Sequence, residues 1–290
     1  MKNWIKGIVI GLVSINGFAQ TVTDSEEGSK LSIEAQIQYN DPTMDISLTN
    51  SSIPGIDLSS YYPTHESSAF LALRGKYNVW NDFSAYAKFG FGNNNGTTTL
   101  DAQSSIDPIL GVIGSLGLNL PLDPTTVKVN THINDGYTTI NAIAGVSYTY
   151  ALKKIKISPY FGGGFSYLNT PSTSVDVSFD IDVFGGTANI PLANVLVKDR
   201  ESASSFIWET GLDITYDINN RFYVGGNFEY SAVNYDFGST ALEFNEDALP
   251  GILTAFLPAG TDLSIIPDVT SDLTLDYSAF RYGITIGMRL

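Results

Sequence analysis

The sequence predicts an all-β fold, an eight-stranded antiparallel transmembrane β-barrel with short periplasmic turns and four long extracellular loops. Three observations carry this expectation. Apolar residues fall on alternate positions in eight separate segments, the period of a strand with one apolar face. The connections between these segments alternate between tight turns and long stretches. A leader precedes them, and no apolar run long enough for a membrane-spanning helix follows it.

The leader comes first. Lys2 and Lys6 make a basic start, and an apolar stretch runs from Gly7 to Phe18. Gly17 and Ala19 supply the small residues of a cleavage site before Gln20. Residues 1–19 therefore read as a cleaved signal peptide, interrupted by Ser14 and Asn16 and too short to span a bilayer. Residues 20–290 remain as one barrel domain.

The strands follow in order. Leu31, Ile33, Ala35, Ile37 and Tyr39 share one parity, with Ser32, Glu34, Gln36, Gln38 and Asn40 on the other. Ala69, Leu71, Leu73 and Tyr77 mark the second strand, and Phe83, Ala85, Ala87, Phe89 and Phe91 the third. The fourth runs from Ile140 to Tyr150, and the fifth carries Ile155, Ile157, Phe161, Phe165 and Tyr167. Phe206, Trp208, Leu212, Ile214 and Tyr216 make the sixth, and Phe222, Val224, Phe228 and Tyr230 the seventh. The eighth runs through Phe280, Tyr282, Ile284, Ile286 and Met288 to Leu290. Short turns lie at Val79–Asp82, Lys153–Lys154 and Asn219–Asn220, and long segments at Asp41–Thr64, Asn94–Asp135, Pro171–Ser204 and Asp236–Asp272. A soluble sandwich would also alternate, but it would hide its apolar faces and would not sort its connections by length.

Composition excludes much else. The chain has no Cys, so disulfides, Cys-ligated metal sites and lipoprotein acylation are impossible. Fifteen bases stand against thirty acids, which disfavours nucleic acid as a partner. Each long segment is acidic, the last most strongly, while the strands and turns are nearly neutral, as a membrane wall requires. Aromatic residues gather near the strand ends, where interfacial girdles would lie. The expected location is the outer membrane of a Gram-negative bacterium, with outer-membrane lipid, lipopolysaccharide and the barrel assembly machinery as partners and a monomeric state.

An eight-stranded barrel leaves an interior that side chains fill. On the inward parity lie the acids Glu34, Glu209, Asp213 and Glu229 and the bases Arg74, Lys76, Lys88 and Arg281. Four acids and four bases in such a space predict a paired interior charge network, since an unpaired buried charge is costly. Arg221 and Arg289 are expected at the solvated periplasmic rim.

The long segments hold apolar runs that solvent does not require. Asp107-Pro108 reads as a helix start before Ile109, Leu110 and Ile113. Leu192 and Leu196 follow in the third segment, and Ile252, Leu253 and Phe256 in the fourth. They are expected either to contact a hydrophobic ligand or to pack as a small core of their own. Val175, Val177, Phe179 and Ile181 alternate with Asp176, Ser178, Asp180 and Asp182, which extends the fifth and sixth strands beyond the membrane. That acidic face reads as solvated, with a divalent cation as the alternative.

Pro159 lies inside the fifth strand, before Gly162, Gly163 and Gly164. Proline cannot donate to a ladder and glycine permits sharp bending, so two readings stand: a barrel corner, or a lateral opening into lipid. Catalysis has weak support. His65, Glu66 and Ser67 are adjacent, and adjacent strand residues face opposite ways; His132 stands apart. Neither enzymatic activity nor a cofactor or metal is expected.

Three segments carry a resemblance: EAQIQYNDP from Glu34, ISPYFGGGFSYLNT from Ile157, and VLVKDRESASSFIWETGLDITYDINNRFYVGGNFEYSAVNYDF from Val195. Together they resemble the OmpW-like family of small outer-membrane barrels. The family's Leu-Pro-Pro segment before the fourth strand is missing, and the chain ends in Leu290 rather than Phe. The resemblance implies binding or passive admission of small hydrophobic molecules through the extracellular loops. A plugged structural or surface-interaction barrel is the alternative from the residues alone, and a lipid-modifying enzyme a third.

Overall fold

The computed structural model describes residues 30–49, 64–80, 82–97, 127–183, 186–198, 200–242 and 269–290. The leader and much of each long segment lie outside these residues. In chain order the strands are β1 (Leu31–Thr49), β2 (Thr64–His65), β3 (Ser68–Trp80), β4 (Phe83–Thr97), β5 (Val127–Asn134), β6 (Gly136–Tyr148) and β7 (Tyr150–Leu152). Then follow β8 (Ile155–Asn169), β9 (Ser172–Val183), β10 (Gly186–Lys198), β11 (Ser202–Asp217), β12 (Phe222–Leu242) and β13 (Val269–Arg289).

Hydrogen-bonded neighbours run β11, β12, β13, β1, β3, β4, β6, β8, and β8 pairs back onto β11. Eight antiparallel strands therefore close on themselves, and closure removes the exposed edges of an open sheet. These are the eight segments read from alternation, with the fourth divided at Thr149 into β6 and β7. The tight turns share one end. Lys153, between β7 and β8, takes a left-handed backbone with φ 57°. At the next turn the Asn219 side-chain oxygen accepts from the Arg221 and Phe222 amides, each at 2.8 Å.

The outer wall near this end is apolar. Ile37, Phe89, Phe161, Phe228, Ile284 and Ile286 all face outward and are more than half exposed. A soluble protein would bury this band, and a bilayer solvates it. The barrel is membrane-spanning.

Farther up the strands the alternation changes phase. On β13 the outward positions pass from Ile286, Ile284, Tyr282 and Phe280 to Ser278, Asp276, Thr274 and Asp272. The inward positions pass from Thr285 and Arg281 to Ala279, Tyr277, Leu275 and Leu273, all four buried. β1 turns over in the same way, from outward Tyr39 to partly buried Met44 and Ile46. Below the switch the solvent outside is lipid, and above it water. The apolar parity therefore moves from the wall to the core.

That inversion corrects the expected loop boundaries. Asp41–Thr49, Asp236–Leu242 and Val269–Asp272, expected as loop, are strand. The alternation of Val175–Asp182 is strand as expected. It lies on β9, between β5 and β10 in a three-stranded sheet. The lowest β9–β10 pair, Lys198 opposite Thr173, continues the register of Ser202 opposite Asn169 in the wall beneath, and the ladder then shifts between Leu196 and Lys198 and again between Pro191 and Ala193. The fifth and sixth strands thus extend upward. Two ladders stop at the level of the switch: β11–β12 at Ile207–Val233, and β1–β3 at Asn40–Ser68. Above them the described strands pair in two groups, β1, β13 and β12 in one and β5, β9 and β10 in the other.

Candidate functional site

The strands bring all eight expected interior charges into the lumen. In the lower group Arg74 on β3 stands opposite Glu34 on β1. Its Nε donates to Glu34 at 2.6 Å, and its Nη2 reaches across the lumen to Asp213 on β11 at 2.5 Å. Lys76 lies 2.9 Å from Glu34 and 2.8 Å from Asp213. In the upper group Glu229 on β12 lies 2.7 Å from both Arg281 and Lys88, and Lys88 also bridges to Glu209 on β11. Seven of the eight side chains are almost wholly buried, and Lys76 is slightly exposed. Each carboxylate meets at least one cation, the arrangement that makes buried ions tolerable.

Aromatic residues that alternation alone does not single out join the groups. The hydroxyls of Tyr223, Tyr86 and Tyr160 donate to Glu34, Glu209 and Glu229 at 2.8, 2.9 and 3.0 Å. The Arg74 guanidinium lies over the Tyr160 ring, and that of Arg281 lies 4.1 Å from the Phe70 ring centre. Their signal was inward parity: Tyr86 shares a face with Lys88, as Phe70 does with Arg74. Arg281 Nε also donates to Asn40 at 2.8 Å, and Asn40 donates to the Tyr277 hydroxyl. Gln36, Asn227 and Thr285 are buried on the same side of the lumen, with side-chain polar atoms that find no protein partner.

Above the ions lies an apolar and aromatic layer. Tyr137, Leu168, Ile207, Tyr235, Leu275 and Tyr277 are buried there together. Burying one such side chain contributes about 1.5–3 kcal/mol. Below the ions a vestibule of about 270 Å³ opens at the turn end, lined by Glu34, Lys76, Lys156, Ser158, Thr215 and Tyr223. Arg289, expected in solvent, is half-buried beside it and bonds Asp217. The vestibule ends beneath the lower ion group.

At the glycines of the expected lateral opening the wall is continuous through Gly162, Gly163 and Gly164. These residues pair with Gly145, Ala144 and Ile143 on β6 and with Glu209, Trp208 and Ile207 on β11, without register shift. Pro159 faces outward and keeps its place opposite Leu212. Toward β6 and β7 the ladder lapses between Tyr160–Ser147 and Ile157–Tyr150, beside the Lys153 turn and far from the extracellular rim. The glycines serve packing instead. A Cβ on Gly162 would strike the Tyr86 hydroxyl, and one on Gly164 the Ala142 carbonyl.

Of the expected hydrophobic-ligand residues, Ile109, Leu110, Ile113, Ile252, Leu253 and Phe256 lie outside the described residues. Leu192 and Leu196 lie on β10. The two histidines remain apart. His132 bonds Asp176 at 2.9 Å on the upper sheet. His65, above the membrane wall on β2, packs on the Tyr137 and Tyr277 rings. Its Nδ1 lies 2.5 Å from the Asn94 amide nitrogen, while its Nε2 has no protein partner. Ser67 turns away to Asp41.

No family model and no curated protein matches this chain. Among solved structures it is similar to the outer membrane protein OprG of Pseudomonas aeruginosa, with 12% identity over 90% of this chain and 95% of that one and a TM-score of 0.46. It is also similar to the outer membrane protein AlkL in lipid bilayers, with 12% identity, coverage of 93% and 96%, and a TM-score of 0.35. A third is Ail, the attachment invasion locus protein of Yersinia pestis, with 10% identity, coverage of 89% and 99%, and a TM-score of 0.34.

Proposed function

We propose that this chain is an outer-membrane barrel with a plugged lumen, which acts through its extracellular and lipid-facing surfaces and not as an axial pore. The observation that carries this reading is the pair of stacked layers in the lumen. A polar solute would have to displace the apolar layer, and a hydrophobic one would have to cross paired ions that bridge opposite walls. The purified barrel in a planar bilayer should show no unitary conductance at moderate voltage. Steady conductance steps from the parent protein would overturn the reading.

A second reading, passive admission of small hydrophobic molecules, is favoured by the seam above Ile207–Val233. There β11 stays paired to β8 and β12 to β13, but the two are not paired to each other. On this reading a solute would pass sideways at that seam, above the ion layer. Uptake of a small hydrophobic dye into proteoliposomes tests it, and uptake equal to that of empty liposomes would end it.

A further inference from the structure

Beside the seam, the outer wall carries a groove of about 450 Å³, whose outward-facing lining includes Phe206, Trp208, Ala232, Ser278, Asp45 and Asp276. Strand register fixes its plan in three rows across β11, β12, β13 and β1. The lowest row runs Thr210, Tyr230, Phe280, Asp41. Here the Tyr230 and Phe280 rings lie 5.2 Å apart, and Trp208 lies 5.4 Å from Tyr230. The middle row is Trp208, Ala232, Ser278, Thr43, so three small side chains form the floor. The top row places Asn234 beside Asp276 and Asp276 beside Asp45, all exposed, with Asn234 bonded to Asp276.

The groove therefore straddles the phase change of the wall. Its lower edge is an aromatic ledge of the kind that sits at headgroup level. Its upper edge is a pair of carboxylates in direct cross-strand register, where like charges repel. β1 and β12 contain no Lys or Arg, and on β13 Arg281 faces inward and Arg289 lies at the far end. Among the described residues these strands turn no cation into the groove, and a partner can supply one. The groove opens on lipid at its aromatic edge and on water at its carboxylate edge, the level at which a lipid headgroup sits. A primary ammonium group can donate to both carboxylates while its acyl chains lie down the apolar wall below Trp208. A choline cannot donate, and an unaccompanied phosphate is repelled.

We infer that this groove binds the headgroup of a lipid bearing a primary amine, with Asp45 and Asp276 as acceptors and Trp208 as the flanking aromatic. The inference rests on the membrane placement of the barrel, and one experiment separates the two. With Trp4 and Trp80 replaced by Phe, Trp208 is the sole tryptophan. The protein is reconstituted in phosphatidylcholine vesicles, and brominated lipids quench its fluorescence. Quenching by brominated phosphatidylcholine reports that Trp208 faces lipid, and its absence would end both membrane placement and site.

Brominated phosphatidylethanolamine should associate at Trp208 about three- to ten-fold more strongly than phosphatidylcholine. Phosphatidylglycerol should associate no more strongly than phosphatidylcholine. In the Asp45→Asn, Asp276→Asn double variant the preference should fall to about one. Should that variant fail to fold, Ala232→Phe, which fills the floor, should lose the preference instead. The inference is overturned by equal association of the three lipids in the parent protein, or by a preference that survives both changes. A phosphatidylglycerol preference that appears only with calcium would overturn it in favour of a cation-bridged phosphate.

Discussion

Glu34 and Arg74 face each other across the β1–β3 ladder, and the guanidinium that binds Glu34 at 2.6 Å also spans the lumen to Asp213 at 2.5 Å. One side chain thus ties adjacent strands to the opposite wall. Within the expected network Glu34 pairs with Arg74, while Arg281 belongs to Glu229.

This geometry makes the two single truncations unequal. Arg74→Met leaves Glu34 and Asp213 to share Lys76 and should cost about 3–5 kcal/mol. Glu34→Gln leaves Arg74 and Lys76 with Asp213 and should cost less. The double variant should cost less than the two singles summed. Urea unfolding of all four proteins in lipid vesicles measures the coupling, and strictly additive effects would show that the pair is not energetically linked.

The inward glycines give a second expectation. Gly162 lies under Tyr86, whose hydroxyl also holds Glu209. Gly162→Ala should force that ring aside and weaken its bond to the carboxylate, at about 1–3 kcal/mol. Tyr86→Phe removes the crowded oxygen and should recover part of the loss. If Gly162→Ala leaves the unfolding midpoint unchanged, the glycine is not kept for this packing.

Much of this is legible in the sequence. Strand number, closure and the membership of the ion network follow from parity alone, because a strand shows its faces at alternate positions. Three things are not legible. Alternation ends the first and seventh strands near Tyr39 and Tyr230 because the apolar phase reverses there, and a period-2 pattern takes reversal for termination. Pro159 and the glycines after it admit two readings from the sequence, a barrel corner or a lateral opening. Which neighbours a glycine admits is a property of other strands, here Tyr86 on β4. The groove likewise joins residues of four strands in register, and no local pattern announces it.

His65 ties pH to the extracellular rim. Burial pushes its imidazole down to about 4, and the positive Arg281 adds to the depression against the opposing hydrogen bond with the Glu66 carbonyl. The folded value lies below the ordinary 6.5, so the unfolded state binds more protons between the two. The stabilisation is fully present above about pH 6.5 and is lost as pH falls toward 4, amounting to at most about 3 kcal/mol. His65→Gln should remove this part of the pH dependence. The measurement is amide exchange at β2 and the upper end of β4 in both proteins across that window. Identical pH profiles would rule out the imidazole as the source.

The phase change of the wall makes the sharpest demand on single substitutions. Ile37 and Ser47 lie on the same outward face of β1, one below the switch and one above it. Ile37 stands between Leu71 and Ile284 in the lipid-facing band. An arginine there must enter hydrocarbon or snorkel past its neighbours, at about 2–4 kcal/mol near the bilayer midplane and about 0–1 kcal/mol near the interface. Ser47→Arg points into water on an acidic face and should change stability by no more than about 0.5 kcal/mol. Leu275→Arg carries the charge inward above the switch, into the apolar layer with Tyr235 and Tyr277, and should be the worst of the three. Unfolding titrations in vesicles of two thicknesses separate these terms. The Ile37→Arg cost should grow in the thicker bilayer, where the charge lies farther from either surface, whereas the Leu275→Arg cost should not respond to thickness. Equal and small costs for Ile37→Arg and Ser47→Arg would place both residues in water and remove the basis for a membrane-spanning wall.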